Sequence, residues 1–87
     1  GICHAQCPVA DWGDIASVAH DEERQQEMLW ARSRIAQQHA EPVAGIDCTI
    51  HGHTVVRAPL RRANALFIET GVFLPGGTLT LLDLDTA

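Results

Sequence analysis

The sequence predicts a mixed α/β fold, in the order of an α+β protein, because helical patterns come first and short strand patterns follow. Apolar residues recur at helical spacing between residues 21 and 38. From residue 46 onward, short β-branched or apolar runs alternate with glycine and proline turns, which is typical of strands. So few helices cannot cover a layered sheet, and we therefore expect two N-terminal helices and then four or five short strands of an incomplete sheet.

Both helices have a capping residue where they are expected to begin. Asp11 can cap a short helix over residues 12–19, and Asp21 can cap the longer helix over residues 21–38. Residues 37–42 are polar and contain a proline, which predicts a surface connection to the strand-rich half.

The strand patterns are short and are separated by glycine or proline. They cover residues 48–50, 54–57, 65–69 and 78–84. Residues 1–3 have the pattern of the end of a further buried strand, which runs directly into His4. Because the sequence starts at Gly1 rather than at methionine and opens on the end of a strand, we expect residues 1–87 to be a cut chain that holds one domain at most.

The charge balance argues against several kinds of partner. The 87 residues have a net charge of -5, and all six basic residues are arginine, so we expect neither nucleic acid nor an anionic membrane as partner. Three cysteines form an odd set without scaffold spacing, which argues against a disulfide framework and favours a reducing, cytoplasmic compartment. No apolar run approaches the roughly 18 residues of a membrane span.

The five histidines differ in their local sequence before any family is considered. His20 and His39 flank the long helix in polar surroundings, which is typical of solvated surface histidines. His4 follows one strand, and His51 and His53 bracket a glycine at the end of another. Strand ends are where α/β sheets present ligands. These three are therefore candidate site residues, with a hydrogen-bonded core histidine as the alternative for each.

A second arrangement of the same residue types would form a structural zinc site. Cys3, Cys7, Cys48 and His51 supply the thiolate and imidazole donors that suit tetrahedral zinc. The Cys-x3-Cys spacing is looser than the usual chelating pair, and Cys48 and His51 would point to opposite faces of a continuous strand. This interpretation stays open and predicts a non-catalytic, zinc-stabilised or interaction module.

Arg32 is the arginine whose position in the long helix is most informative. It lies on the same side of the predicted helix as Met28 and Ile35, whereas Arg34 lies about 200° away. An arginine that faces a sheet needs an anionic partner. The spacing alone leaves two partners open, a carboxylate within the chain or a bound phosphate.

Three blocks of sequence together resemble one protein family. The last block runs from His51-Gly52-His53-Thr54 through Pro59-Leu60 and Ala63-Asn64 to Phe67-Ile68-Glu69-Thr70-Gly71, before a strand-like Leu79-Thr80-Leu81-Leu82. Two earlier blocks are Ile2-Cys3-His4-Ala5 and Leu29-Trp30-Ala31-Arg32-Ser33-Arg34-Ile35. In this order, the blocks resemble the C-terminal signature of bacterial and bacteriophage serine/threonine protein phosphatases, which are calcineurin-like metallophosphoesterases of the PPP type.

That resemblance implies a fold, a reaction and a set of site residues. The fold would be the C-terminal half of a layered calcineurin-like metallophosphoesterase sandwich. The reaction would be hydrolysis of phosphoserine or phosphothreonine esters by a metal-bound hydroxide, with two divalent metal ions, manganese first and iron or zinc as alternatives. His4 and His53 would be ligands of one metal, Arg32 would bind the substrate phosphate, and the partner would be a phosphoprotein or phosphopeptide.

The first half of the family's signature is missing from these 87 residues. The motifs D-x-H, G-D-x-x-D-R-G and G-N-H-[ED] are absent, so no catalytic residue is assigned in this chain and the general-acid histidine is expected in the missing half. The isolated chain is therefore predicted to be inactive. Gln6 and Glu69 stand where the family has an acidic residue and an aspartate. The alternative within the same fold is a dinucleoside polyphosphate hydrolase, which also has a Gly-His-Thr motif.

Overall fold

The computed structural model describes residues 1–37 and 41–86. Its centre is a sheet of four short strands, namely β1 (Ile2–Cys3), β2 (Thr49–His51), β3 (Leu60–Arg62) and β4 (Ala65–Phe67). The strands lie in the order β1-β2-β4-β3, with β1, β2 and β4 parallel to one another and β3 antiparallel to β4. A mixed sheet accompanied by helices confirms the predicted α/β class.

The two faces of the sheet have different surroundings, because successive side chains of a strand point to opposite sides. The register of the strands aligns Cys3, His51 and Phe67 in one row, and all three side chains are buried. The row on the opposite face is aligned in the same way and consists of Ile2, Ile50 and Leu66. Ile2 is 80% exposed, so the second face is only partly covered.

The helices begin where the sequence predicted their caps. A 3₁₀-helix covers Trp12–His20, and the Asp11 side chain accepts a hydrogen bond from the Gly13 N–H at 2.9 Å. Helix α1 covers Glu22–Trp30, and the Asp21 side chain accepts from the N–H three positions later at 3.1 Å. Each cap satisfies one of the backbone donors that a helix start leaves without a partner.

A small apolar cluster holds the helices against the buried face of the sheet. Its fully buried members come from β1, from the segment after it, from the 3₁₀-helix and from the segment before β2; they are Cys3, Cys7, Val9, Val18 and Val43. Trp12, Ile15 and Met28 are partly buried and pack against this cluster. The helices and β1 are thereby fixed to each other, which determines where the end of β1 lies.

The single long helix predicted over residues 21–38 is wrong. Helix α1 ends at Trp30, and after a break a short helix α2 covers Ser33–Ala36. The predicted end at Gln38 lies outside the described residues. Within residues 1–37 and 41–86, no helix is long and apolar enough to cross a membrane.

The break has a physical cause in hydrogen bonds from another part of the chain. The Met28 carbonyl accepts from the Ala5 N–H at 2.8 Å, whereas a continuous helix would give it the N–H of residue 32. Ala31 is accordingly extended, with φ -68° and ψ 145°. The prediction that Arg32 shares one helix face with Met28 and Ile35 is therefore wrong as well, since the two segments are not one helix.

The strand predicted over residues 54–57 is also wrong, and an unpredicted strand lies a few residues later. Strand β3, Leu60–Arg62, forms a hairpin with β4 through a two-residue turn in which Ala63 has a φ of 52°. The side chain of Asn64 fixes this turn. It accepts from the Val43 N–H and donates to the Val43 carbonyl, both at 2.8 Å.

The strand predicted over residues 78–84 is wrong too. Thr78 makes only an isolated bridge to Gly71. Beyond it, Leu79 and Leu81 are 68% and 87% exposed, and no strand of the described residues pairs with them. An alternating pattern gives a segment the capacity to form a strand, but the strand also needs a neighbour for its hydrogen bonds.

The remaining strand predictions are confirmed with small shifts at their ends. The strand predicted over residues 48–50 is observed one residue later, at Thr49–His51, and the strand predicted over residues 65–69 ends earlier, at Phe67. Such shifts at element ends are common. Here the shift matters, because it makes His51 the last residue of β2.

Candidate metal and phosphate site

The candidate site lies where the parallel strands β1 and β2 end side by side. Strand β1 ends at Cys3 and β2 ends at His51, and these two residues are partners in the register. The Gly52 N–H donates to the His4 carbonyl at 2.9 Å, which keeps the two segments together past the last strand residues. The candidate ligands His4 and His53 therefore come from adjacent strand ends.

The rings of His4 and His53 are in contact distance. Their centroids are 4.9 Å apart and the ring planes are inclined by 51°. His4 is exposed and His53 is half-buried. The two imidazoles that the sequence singled out as ligands of one metal are thus neighbours, although the chain separates them by 48 intervening residues.

The backbone at His53 adopts an unusual conformation. Its φ is 64°, in the left-handed region that costs most residues about 1–2 kcal/mol. The Thr54 N–H donates to the Gly52 carbonyl at 2.7 Å, which closes a tight turn directly after β2. A Cβ added at Gly52 would meet nothing within 4 Å. The turn therefore depends on the conformation of His53, and the Gly52 position itself has free space.

The His53 ring is held from one side and has one nitrogen without a partner. The edge of the Trp30 indole contacts it, with centroids 5.6 Å apart and planes at 82°. His53 Nε2 is buried without a hydrogen-bond partner among the described residues. In the tautomer that carries its proton on Nδ1, the neutral ring has the Nε2 lone pair available to a ligand.

The electrostatic surroundings favour the neutral form of His53. Burial of the ring lowers its pKa, and the nearby positive charge of Arg32 and the His4 ring act in the same direction. The polar backbone of Trp30 opposes these effects and raises the pKa. A neutral imidazole is the form that binds a metal ion.

Arg32 lies next to this pair of histidines. Its Nε donates to Thr54 Oγ1 at 3.0 Å, and Thr54 directly follows His53 in the chain. The only ion pair between side chains of the described residues joins Arg24 and Asp21 at 3.5 Å. Arg32 thus has no carboxylate within 4 Å there, and of the two partners that the sequence left open, the internal carboxylate is not observed.

Two other arginines have clear structural positions. Arg34 donates to the Glu41 carbonyl at 2.6 Å, and Arg62 donates to the Ile35 carbonyl at 3.2 Å. These two hydrogen bonds join helix α2 to the segment at Glu41 and to strand β3. Arg32 differs from them because a side-chain hydroxyl occupies its Nε and leaves its two terminal nitrogens for another group.

His51 is a core residue, although it stands only two residues before His53. It is 1% exposed, its Nε2 lies 2.8 Å from Thr49 Oγ1, and its ring stacks on Phe67 with centroids 5.0 Å apart. Burial lowers its pKa to about 4, with the positive charge of Arg34 as a second cause. Its Nδ1 has no hydrogen-bond partner, but a side chain so fully enclosed gives a ligand no access to that atom.

The alternative zinc site receives no geometric support. Cys3 and Cys7 are buried together in the apolar cluster, whereas Cys48 is half-buried outside it. No group of three or more His, Cys, Asp or Glu side chains in residues 1–37 and 41–86 is arranged to hold a metal ion. The His4–His53 pair falls short of such a group as well, because it supplies only two donor side chains.

The remaining predicted histidines do not join the site. His20 is exposed at the end of the 3₁₀-helix, as the polar local sequence predicted. His39 lies outside the described residues.

Two contributors were missed by reasoning from the sequence, namely Thr54 as the partner of Arg32 and Trp30 as the partner of His53. No sequence signal identifies them, because their roles follow from the break between α1 and α2.

Comparison with known proteins adds no independent identification. The chain matches no protein-family model and none of the curated proteins. The resemblance to protein phosphatases thus rests on the three blocks of sequence.

Proposed function

We propose that this chain contributes part of the metal- and phosphate-binding site of a phosphoprotein phosphatase. The parent enzyme would hydrolyse phosphoserine or phosphothreonine esters, and residues 1–87 would be the C-terminal part of its calcineurin-like domain. The observation that supports the proposal is the His4–His53 ring pair, 4.9 Å between centroids, beside an Arg32 guanidinium fixed by Thr54 at 3.0 Å.

The donor groups present suit a divalent transition metal. Imidazole is a common ligand of manganese, iron and zinc, and the free Nε2 of His53 is the kind of buried atom that a metal would satisfy. His4 and His53 would hold one metal of a pair. When bound, two such metals supply Lewis-acid polarisation of the phosphate and activation of water.

Arg32 is assigned to the substrate phosphate. Its Nε is occupied by the Thr54 hydroxyl, which fixes the plane of the guanidinium and leaves both terminal nitrogens to donate to phosphate oxygens. In phosphoryl transfer, such a pair of donors stabilises the charge on the equatorial oxygens. Trp30 has a supporting part, because the edge of its ring contacts His53.

Two protein donors are too few for a complete metal site, and the residues of the other half of the signature are not in this chain. The isolated 87 residues are therefore expected to bind metal weakly and to hydrolyse p-nitrophenyl phosphate with Mn²⁺ no faster than the His53→Ala variant. A rate clearly above that of the variant would contradict the assignment of the missing ligands and the general acid to another part of the enzyme.

Metal binding can be tested directly by NMR on the ¹⁵N-labelled chain. Mn²⁺ is titrated and the paramagnetic broadening of the histidine ring signals is measured, since this readout detects weak sites. We expect His4 and His53 to broaden first and together, and either His4→Ala or His53→Ala to raise the Kd for Mn²⁺ at least tenfold.

Two matched controls make the result specific. His20→Ala removes an exposed histidine away from the pair and should leave the Mn²⁺ affinity unchanged. Arg24→Ala is the matched control for Arg32→Ala when inorganic phosphate is titrated in the presence of Mn²⁺, and only Arg32→Ala should weaken phosphate binding. Equal broadening of His20 and His53, or equal effects of the two arginine variants, would overturn the proposal.

A further inference from the structure

A buried glutamine joins the His4 segment to the break before helix α2. Gln6 is 3% exposed. Its Nε2 donates to Glu27 Oε1 at 3.0 Å and to Ser33 Oγ at 3.1 Å, and its Oε1 accepts from the Arg34 N–H at 2.9 Å. One side chain thus binds to the end of α1 and to the start of α2.

The bond to Arg34 replaces a cap that α2 lacks in its own sequence. Arg32 stands at the capping position, but its side chain makes no capping hydrogen bond. The amide oxygen of Gln6 accepts from a backbone N–H in the first turn, which is what a capping side chain does. Gln6 therefore caps this helix from another part of the chain.

The same bond separates helix α1 from helix α2 next to the candidate site. In a continuous helix the Arg34 N–H would bond to the Trp30 carbonyl. Because Gln6 takes that N–H, helix α1 ends at Trp30, whose indole edge contacts the ring of His53. The extended Ala31 that results also determines where Arg32 leaves the chain, next to Thr54.

We propose that Gln6 is a positioning residue, which holds the break between α1 and α2 and thereby places both Arg32 and His53 for metal and phosphate. The inference deepens the proposed function and depends on it for the ligands involved. It also gives a reason for an amide at this position, where the resembling family has an acidic residue. A carboxylate at residue 6 would lie against Glu27, and the Nε2 donor that separates the two would be lost.

The test uses the hydrogen bond from Arg32 Nε to Thr54, which is observable without any ligand. Gln6→Met keeps the volume of the side chain and removes its hydrogen-bonding groups. We expect the Arg32 Nε–H, followed by NMR in the intact chain, to exchange with solvent at least tenfold faster in this variant. The charge-conserving double variant Gln6→Glu/Glu27→Gln retains the acceptor for Arg34 and restores a donor at residue 27, so its exchange rate should return to within twofold of the parent.

A matched control separates positioning from a general loss of stability. Gln25 is a partly buried glutamine whose Nε2 donates to the Val18 carbonyl at 2.9 Å, away from the site. Gln25→Met should leave the exchange of the Arg32 Nε–H unchanged. Unchanged exchange in Gln6→Met, at a temperature where its circular dichroism matches that of the parent, would overturn the inference.

Two further measurements cover the case in which Gln6→Met does not fold and test ligand binding itself. If Gln6→Met does not fold, the single Gln6→Glu variant is compared with the double variant, and equal exchange rates in the two would also overturn the inference. Titration of inorganic phosphate with Mn²⁺ should show a Kd about tenfold higher in Gln6→Met, with rescue in the double variant. If the parent binds neither Mn²⁺ nor phosphate while the exchange pattern holds, the proposed function fails and the positioning role stands.

Discussion

The end of strand β2 and the turn that follows it contain two histidines in opposite surroundings. His51 is enclosed, stacked on Phe67 and 2.8 Å from the Thr49 hydroxyl. His53 has a positive φ, lies beside His4 and has a free Nε2. A spacing of two residues puts both on the same side of an extended strand, and the turn after His51 removes His53 from that alignment. The difference shows how one short motif can supply both a core residue and a candidate ligand.

The largest expected effect comes from removing the enclosed ring. His51→Ala should lower the free energy of unfolding by about 3–5 kcal/mol, because it leaves a ring-sized cavity and removes the partner of the Thr49 hydroxyl. Urea unfolding followed by circular dichroism measures this. His53→Ala, which removes a half-buried ring, should cost less than half as much. Similar losses of unfolding free energy in the two variants would contradict the distinction between an enclosed His51 and a half-buried His53.

Acid should destabilise the chain through the same residue. The pKa of His51 is lowered to about 4, whereas a histidine in the unfolded chain titrates near pH 6.5. Between these values the unfolded state binds more protons, so stability is fully present above pH 6.5 and is lost as the pH falls. The loss attributable to His51 should reach about 3 kcal/mol at pH 4.

Unfolding free energies measured by urea titration from pH 7 to pH 4 test this dependence. A His51→Gln variant does not titrate in that range and should show a distinctly shallower decline than the parent. His20→Gln changes an exposed histidine and should keep the slope of the parent. A parent and a His51→Gln variant with parallel profiles would show that His51 is not the group responsible.

The smallest of the three effects concerns the backbone of His53. Glycine adopts a φ of 64° without the steric cost that other residues have. His53→Gly should therefore raise the free energy of unfolding by up to about 1 kcal/mol relative to His53→Ala, while neither variant binds Mn²⁺ as the parent does. If His53→Gly were the less stable of the two, the turn would not be strained in the way described.

His4, His53 and Arg32 of the candidate site were predictable from sequence, whereas Thr54, Trp30 and the way in which the site is built were not. The histidines were found because His4 and the Gly-His-Thr segment each follow a short apolar run, and parallel strands bring such ends together. Arg32 is predicted from its side of a long helix and, as a phosphate ligand, from the resemblance, but the helix is broken at Ala31. The residue is near His53 for a different reason, which is the bond between Gln6 and the N–H of Arg34.

The fold was predictable where local pattern and tertiary contacts agree. The caps Asp11 and Asp21 and the strands β2 and β4 are of this kind. Periodicity failed for the long helix, since hydrogen bonds from residues 5 and 6 compete with those of the helix, and a pattern of apolar residues carries no information about that competition. It failed for residues 78–84 because strand formation depends on a neighbour as well as on alternation.

The half-covered face of the sheet has a consequence for the colloidal behaviour of the chain. The row formed by Ile2, Ile50 and Leu66 offers an apolar stripe to other copies, and a net charge of -5 at neutral pH keeps those copies apart. That repulsion disappears near pH 5.3, where the net charge is zero. An acid titration passes through this point after His51 has begun to destabilise the fold and before that loss is complete, so attraction between chains and loss of structure reinforce each other between pH 6.5 and pH 4.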